Sequence, residues 1–97
     1  MKLITTSAQK TVQSSQKSAL KKLFKRLSDA ENITFTQTKN PNIYQAEYKN
    51  DSTLSIASFD KGNGSTVAMI DHKNVSADER QKWQLHWRKI LDELFEI

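Results

Sequence analysis

The sequence of 97 residues has no cysteine, which excludes a disulfide-bonded scaffold and a metal site built on thiolates. A chain without cysteine also fits a reducing compartment. No apolar run approaches the roughly 20 residues that a transmembrane helix needs. Residues 1–4 are followed at once by polar Thr5, so no signal peptide is predicted. We therefore expect one soluble, cytoplasmic domain over residues 1–97.

Residues that could serve in catalysis or metal binding are also few. The only histidines are His72 and His86, and a metal site needs more ligands in one place than these two and scattered carboxylates supply. Asp71 and His72 are neighbours on a predicted strand, so their side chains should point to opposite faces and cannot form a catalytic dyad. We expect His72 to bond to the turn before the last helix. Hydrolase, P-loop and dinucleotide motifs are absent, so we predict no enzyme, metal or cofactor.

The clearest local pattern predicts a helix over residues 76–95. Ser76 and Glu79 have the S-x-x-E spacing of a capping box, in which each side chain satisfies a free backbone amide. An apolar stripe at helical spacing follows and consists of Trp83, Trp87, Ile90, Leu91, Leu94 and Ile97. Because both tryptophans of the chain lie on this stripe, the helix should supply much of the core.

A first helix is predicted after Ser14 and Ser15, with its end near residues 29–32. Its apolar positions recur at i, i+3, i+4 and i+7 and are Leu20, Leu23, Phe24 and Leu27. Its other side is basic and consists of Lys17, Lys21, Lys22, Lys25 and Arg26. These residues make the first half of the chain basic: residues 1–50 have nine Lys/Arg against three Asp/Glu, whereas residues 51–97 have six against eight.

The basic side of the first helix has several interpretations. It could meet an acidic protein partner, an anionic membrane surface or a nucleic acid, or it could simply be solvated. Nucleic-acid surfaces usually add base-stacking aromatics, and the one aromatic of this helix, Phe24, lies on the apolar stripe. Weak nucleic-acid binding is therefore the least favoured of these interpretations.

Between the helices the apolar period changes from 3.6 to 2, which indicates strands. The predicted strands cover residues 33–36, 44–48, 54–59 and 66–71, and a short strand over residues 2–6 precedes the first helix. Turn residues at 40–42, 50–51 and 62–64 separate the four consecutive strands, and the alternation slips near Ala57 and Ser58, which predicts a bulge. The predicted fold class is α+β, an antiparallel meander covered by the long C-terminal helix, with one N-terminal helix.

Five short motifs follow one another between residues 33 and 97. They are Asn-Pro-Asn at 40–42, Asn-Asp at 50–51, KGNGSTV at 61–67, DHKNV at 71–75 and WRKILDEL at 87–94. Their order resembles the C-terminal half of the START-like helix-grip superfamily (SRPBCC, with the polyketide cyclases), in the branch homologous to the heat-shock-protein ATPase activator. The family's Trp-containing segment after the first helices has no counterpart at residues 28–33, so the chain resembles a reduced-length member.

A curved sheet folded round a helix can leave a gap lined by apolar and aromatic side chains, which is the usual make-up of a small-molecule site. The candidate lining residues are Phe35, Tyr44, Tyr48, Met69, Trp83, Trp87 and Leu91. The preferred prediction is a non-enzymatic START-like module that binds a small apolar or amphipathic ligand between the sheet and the C-terminal helix. The alternative for these side chains is ordinary core packing.

The resemblance to the activator implies a second function, a protein-interaction module in which the basic first helix meets an acidic partner. Leu85 lies opposite the apolar stripe of the last helix and could support self-association. We therefore expect a monomer or a weak dimer.

Overall fold

A computed structural model of the protein describes residues 2–31, 33–40, 42–48 and 51–95. The elements, in chain order, are β1 (Leu3–Val12), α1 (Gln16–Glu31), β2 (Thr36–Gln37), β3 (Ile43–Glu47), β4 (Thr53–Gly62), β5 (Ser65–Ser76), a 3-10 turn (Ala77–Glu79) and α2 (Arg80–Leu94). The predicted α+β class is confirmed. Four residues used in the predictions lie outside the described ranges. They are Asn32 at the predicted end of the first helix, Pro41 and Asn50 in predicted turns, and Ile97 on the apolar stripe of the last helix.

The strands form one antiparallel sheet in the order β1-β5-β4-β3-β2. Strands β2 to β5 are the predicted meander, and β1 joins the free edge of β5. Strand β1 is twice as long as predicted, because its pairing with β5 continues from Leu3 opposite Ser76 to Val12 opposite Thr66. Thr6 and Ala8 are small or polar but buried, so the sequence shows no apolar alternation there.

Both helices cover the same side of the sheet, here called the inner face. Helix α2 packs on β1 and β5, and α1 packs on β4 and β5. The fully buried residues that meet between these layers are Leu23, Leu27, Leu54, Ile56, Ile70, Trp87 and Leu91. The burial of each large apolar side chain contributes about 1.5–3 kcal/mol, so this layer is the main source of stability. Neither described helix is both long and apolar enough to cross a membrane.

Two predicted strand details are wrong. The strand predicted over residues 33–36 is reduced to the pairing of Thr36 and Gln37 with β3. The predicted bulge near Ala57 is absent from the described sheet, because β4 pairs with β5 without interruption from Thr53 to Asp60. In this central strand, small residues on both faces are buried, so polarity stops alternating although the backbone stays regular.

Local side-chain chemistry sets the helix starts and turns. The Ser15 hydroxyl accepts the Ser18 amide at 3.2 Å and caps α1, and the Ser76 hydroxyl accepts the Asp78 amide at 3.3 Å in the 3-10 turn before α2. The predicted loop at residues 62–64 is confirmed, with φ of 84°, 55° and 76°, a backbone region that Gly adopts readily and Asn tolerates.

Candidate functional site

Three of the predicted lining residues gather round His72 on the inner face. Tyr48, Trp83 and Trp87 lie with ring centroids 5.7–5.9 Å apart, and the two tryptophan rings are stacked with an interplanar angle of 18°. The His72 ring meets the edge or face of each of them at 4.9–5.6 Å. The His86 ring contacts Trp83 and Trp87 at 5.6 and 4.6 Å, and these five residues form one aromatic cluster.

The hydrogen bonds of His72 define its tautomer. The Trp87 Nε1–H donates to His72 Nδ1 at 3.3 Å, and His72 Nε2 lies 2.8 Å from Ser52 Oγ. An indole N–H is a donor only, so Nδ1 must be the acceptor and the proton of the neutral ring is on Nε2. His72 therefore donates to Ser52 and is not oriented to take a proton from it. The prediction that His72 bonds to the turn before the last helix is wrong.

Burial keeps the His72 ring neutral. The pKa of His72 is lowered to about 4, mainly because burial disfavours the charged form. The carboxylate of Glu79 raises this pKa, while the neighbouring His86 lowers it further. Asp71 and His72 lie on opposite faces of β5, as predicted. Among the described residues there is no group of three or more potential metal ligands.

Packed side chains occupy the space between the sheet and α2, where the sequence predicts a ligand. Trp87 and Leu91 are fully buried against Leu54, Ile56 and Ile70. Interiors packed in this way leave few voids larger than a water molecule. Ordinary core packing, the alternative for these side chains, accounts for the burial of Trp87 and Leu91.

The other predicted aromatics lie together under α1. Phe24 of α1 contacts Phe35 and Tyr44, with ring centroids 5.5 and 5.2 Å apart. Phe24 and Tyr44 remain partly exposed at the wall of an open groove of about 770 Å³ between α1 and the β2–β3 edge. The described residues that line this α1–β3 groove are Ser15, Gln16, Lys17, Leu20, Lys21, Phe24, Gln37, Asn42 and Tyr44.

Two hydrogen bonds hold the groove in shape. Gln16 Nε2 donates to the Ser58 carbonyl oxygen at 2.8 Å, which ties the start of α1 to β4. The Ser58 amide donates to the Asn42 carbonyl oxygen at 3.3 Å, which ties the turn before β3 to the same residue. Sequence reasoning missed the groove because it assigned Phe24 to the core stripe. The helical spacing of Lys17, Leu20, Lys21 and Phe24 was the available signal.

Met69 does not belong with the other predicted lining residues. It pairs with Ala57 and Gln9, one position out of phase with the inward-facing Ala68 and Ile70. Because successive side chains in a strand point to opposite faces, Met69 lies on the outer face. The cause of the misassignment is that β5 carries apolar residues on both faces.

The predicted basic face of α1 divides into two groups. Lys17 and Lys21 line the α1–β3 groove, and Lys25 is exposed. On the other side, the Lys22 ammonium lies 5.8 Å from the centroid of the Phe95 ring, and Arg26 pairs with Glu93 at 3.4 Å. Lys17 and Lys21 thus line the α1–β3 groove, whereas Lys22, Lys25 and Arg26 line a separate, shallower depression beside Leu94.

No protein-family model matches the chain, and no curated protein matches it significantly. Solved structures, in contrast, match the fold of the chain. CalU16 from Micromonospora echinospora superposes with a TM-score of 0.68 at 10% identity, over 97% of this chain and 81% of that one. An uncharacterised protein from Bacillus thuringiensis has a TM-score of 0.53 at 11% identity, over 94% of this chain and 96% of that one. At such low identity the likeness concerns the fold alone, and it is that of a small helix-grip-like α+β protein.

Proposed function

We propose that this protein is a non-enzymatic module that binds a small apolar or amphipathic molecule in the α1–β3 groove. The observation that carries the proposal is the open groove itself, with Leu20, Phe24 and Tyr44 as its apolar wall. Ligand sites are typically concave and apolar with a few polar groups, and the lining here also contains the polar residues Ser15 and Asn42. This position differs from the predicted one, because Trp87 and Leu91 of α2 are buried in the core.

The length of the apolar chain that the groove buries sets the affinity that we expect. Each buried methylene contributes about 0.8 kcal/mol, so an eight-carbon chain offers at most about 6 kcal/mol. This corresponds to a Kd of about 0.04 mM or weaker for a simple octyl compound. A natural ligand would reach a lower Kd through additional polar contacts.

The His72–Ser52 pair supports the non-enzymatic part of the proposal. A serine nucleophile needs a histidine that accepts its proton. The bond from Trp87 places the His72 proton on the nitrogen that faces Ser52. Ser52 therefore accepts a hydrogen bond from His72, whereas a serine nucleophile would have to donate one. Both side chains are also buried, with 1% exposure for His72 and 3% for Ser52, which keeps a substrate away.

An amide NMR titration with 1-octanol tests the proposal. We expect saturable shifts at Leu20, Phe24 and Tyr44. Asn42→Trp places an indole in the groove and should abolish these shifts, whereas Thr11→Trp, on the exposed outer side of β1, adds the same ring elsewhere and should leave them unchanged. Unchanged octanol binding by a folded Asn42→Trp variant would overturn the assignment of the groove.

A second candidate function is a protein-interaction module, as the resemblance to the heat-shock-protein ATPase activator branch suggests. The observation in its favour is the row of Lys17, Lys21 and Lys25, which are exposed and have no ion-pair partner among the described residues. Pull-downs with Lys21→Glu/Lys25→Glu test it. Recovery of the same acidic partners by the variant and by the unmodified protein would argue against this face.

A further inference from the structure

We infer that the ligand of the α1–β3 groove is a single-chain amphiphile with a carboxylate head group, a medium-chain carboxylate, and that Lys17 and Lys21 hold this head group. The inference rests on the proposed function and adds the chemical class of the ligand. Its basis is the arrangement of charge along one side of α1.

Lysines and apolar residues alternate along the side of α1 that lines the groove. Lys17, Leu20, Lys21 and Phe24 occupy positions i, i+3, i+4 and i+7, so they lie on one helical face. The two lysines therefore share the lining of the groove with the apolar wall formed by Leu20, Phe24 and Tyr44. A molecule with one charged end and one apolar chain matches this pattern, whereas a neutral alkane would leave the lysines unused.

The positive charge of the groove is not compensated inside the described protein. Lys10, Arg26 and Lys82 form ion pairs with Asp92, Glu93 and Glu79 respectively. Lys17 and Lys21, in contrast, have no ion pair with any described residue, and none of the described lining residues is acidic.

The first turn of α1 has no acidic residue that would balance the helix dipole. Two lysines at i, i+4 also repel each other, and an anion between them removes this repulsion.

The described lining supplies its positive charge through lysine alone. Arginine, whose planar fork recognises carboxylate and phosphate alike through two hydrogen bonds, is not among the described lining residues. Lysine presents a compact, strongly hydrated point charge, so the head group is held by charge and not by a fork, and a carboxylate is the simplest monoanion that a single-chain amphiphile carries. One apolar wall and a volume of about 770 Å³ accommodate a single acyl chain.

Three octyl probes of equal chain length test the inference by amide NMR titration at low salt. We expect octanoate to bind about five- to tenfold more tightly than 1-octanol, since two exposed ion pairs supply a modest gain. Octyltrimethylammonium should bind more weakly than 1-octanol. At high salt the difference between octanoate and 1-octanol should shrink, because exposed charges are screened.

Matched lysine variants separate this inference from the proposed function. Lys17→Gln/Lys21→Gln should remove most of the difference between the affinity for octanoate and the affinity for 1-octanol. Lys25→Gln is the control, because Lys25 is an exposed lysine of α1 outside the lining of the groove.

Equal affinities for octanoate and 1-octanol would overturn the carboxylate assignment and leave the proposed function standing. The same holds if the double variant keeps the full octanoate affinity. If no octyl probe shifts the groove amides, the proposed function itself fails. A glutamate-rich peptide that shifts these amides when octanoate does not would also overturn the inference, and it would favour the protein-interaction module.

Discussion

The indole Nε1–H of Trp87 donates to Nδ1 of His72 across 3.3 Å in the interior of the protein. Trp87 is fully buried on α2, and His72 lies opposite it on β5 with 1% exposure. The bond joins the helix to the sheet and determines which ring nitrogen carries the proton. A residue that could act as a base elsewhere is thereby held as a neutral structural donor to Ser52.

Trp87→Phe tests the energetic role of this bond. The substitution leaves His72 Nδ1 buried without a donor and reduces the ring volume, so we expect a loss of about 2–4 kcal/mol in the free energy of unfolding. Urea unfolding followed by circular dichroism measures it. Trp83→Phe is the matched control, because Trp83 is only partly buried, and it should cost less than about 1.5 kcal/mol. Equal losses in the two variants would contradict a specific role of the Trp87–His72 bond.

The lowered pKa of His72 predicts sensitivity to acid. Its pKa falls from 6.5 to about 4 on folding, so between these pH values the unfolded chain binds a proton that the folded protein does not. Stability is therefore complete above pH 6.5 and declines as the pH falls towards about 4, by on the order of 3 kcal/mol.

The decline is measured as the free energy of unfolding at several pH values between 7 and 4. His72→Gln removes the titrating group and should flatten the profile in this window, although it lowers stability at pH 7. Parallel profiles for the variant and the unmodified protein would show that other groups cause the decline.

Two buried hydroxyls on the inner face should respond to removal in opposite directions. Ser58 Oγ is buried without a hydrogen-bond partner in the described structure, so Ser58→Ala removes an uncompensated polar atom and should stabilise the protein by about 1 kcal/mol. Thr66 Oγ1 donates to the Ser14 carbonyl oxygen at 2.7 Å, so Thr66→Val should destabilise it by about 1–2 kcal/mol. Thermal unfolding of both variants decides this, and a loss of stability in Ser58→Ala would contradict the assignment of its hydroxyl.

Asp71 should be a destabilising charge on the outer face of β5. Burial raises its pKa, and the nearby Lys73 opposes this only in part. A carboxyl group whose pKa is raised by folding stabilises the folded state at pH values below 3.8, its pKa in the unfolded chain. This contribution is lost as the pH rises through the pKa of the group in the folded protein. Asp71→Asn should therefore gain a few tenths of a kcal/mol at pH 7 and little at pH 3. A loss at pH 7 would indicate that the carboxylate has a favourable partner.

Features that depend on neighbours along the chain could be read from the sequence. The stripe of α2 is helical because its apolar residues recur every three or four positions, and Trp87, Ile90 and Leu91 are indeed buried. The loop at residues 62–64 follows from residues that accept positive φ. The predicted order of strands and helices is also correct, because the order of periodic segments and turn residues is itself a property of the sequence.

Tertiary structure alone decided the length of β1, the partners of His72 and the site of the groove. Strand β1 is held by pairing with β5, more than fifty residues away, and no local pattern reports such a partner. Aromatic residues fit a packed core and a ligand pocket equally well, so sequence could not say that Trp87 fills the interior while Phe24 and Tyr44 border an open groove. The distinction depends on which surfaces the packed elements leave uncovered, and local periodicity does not contain that information.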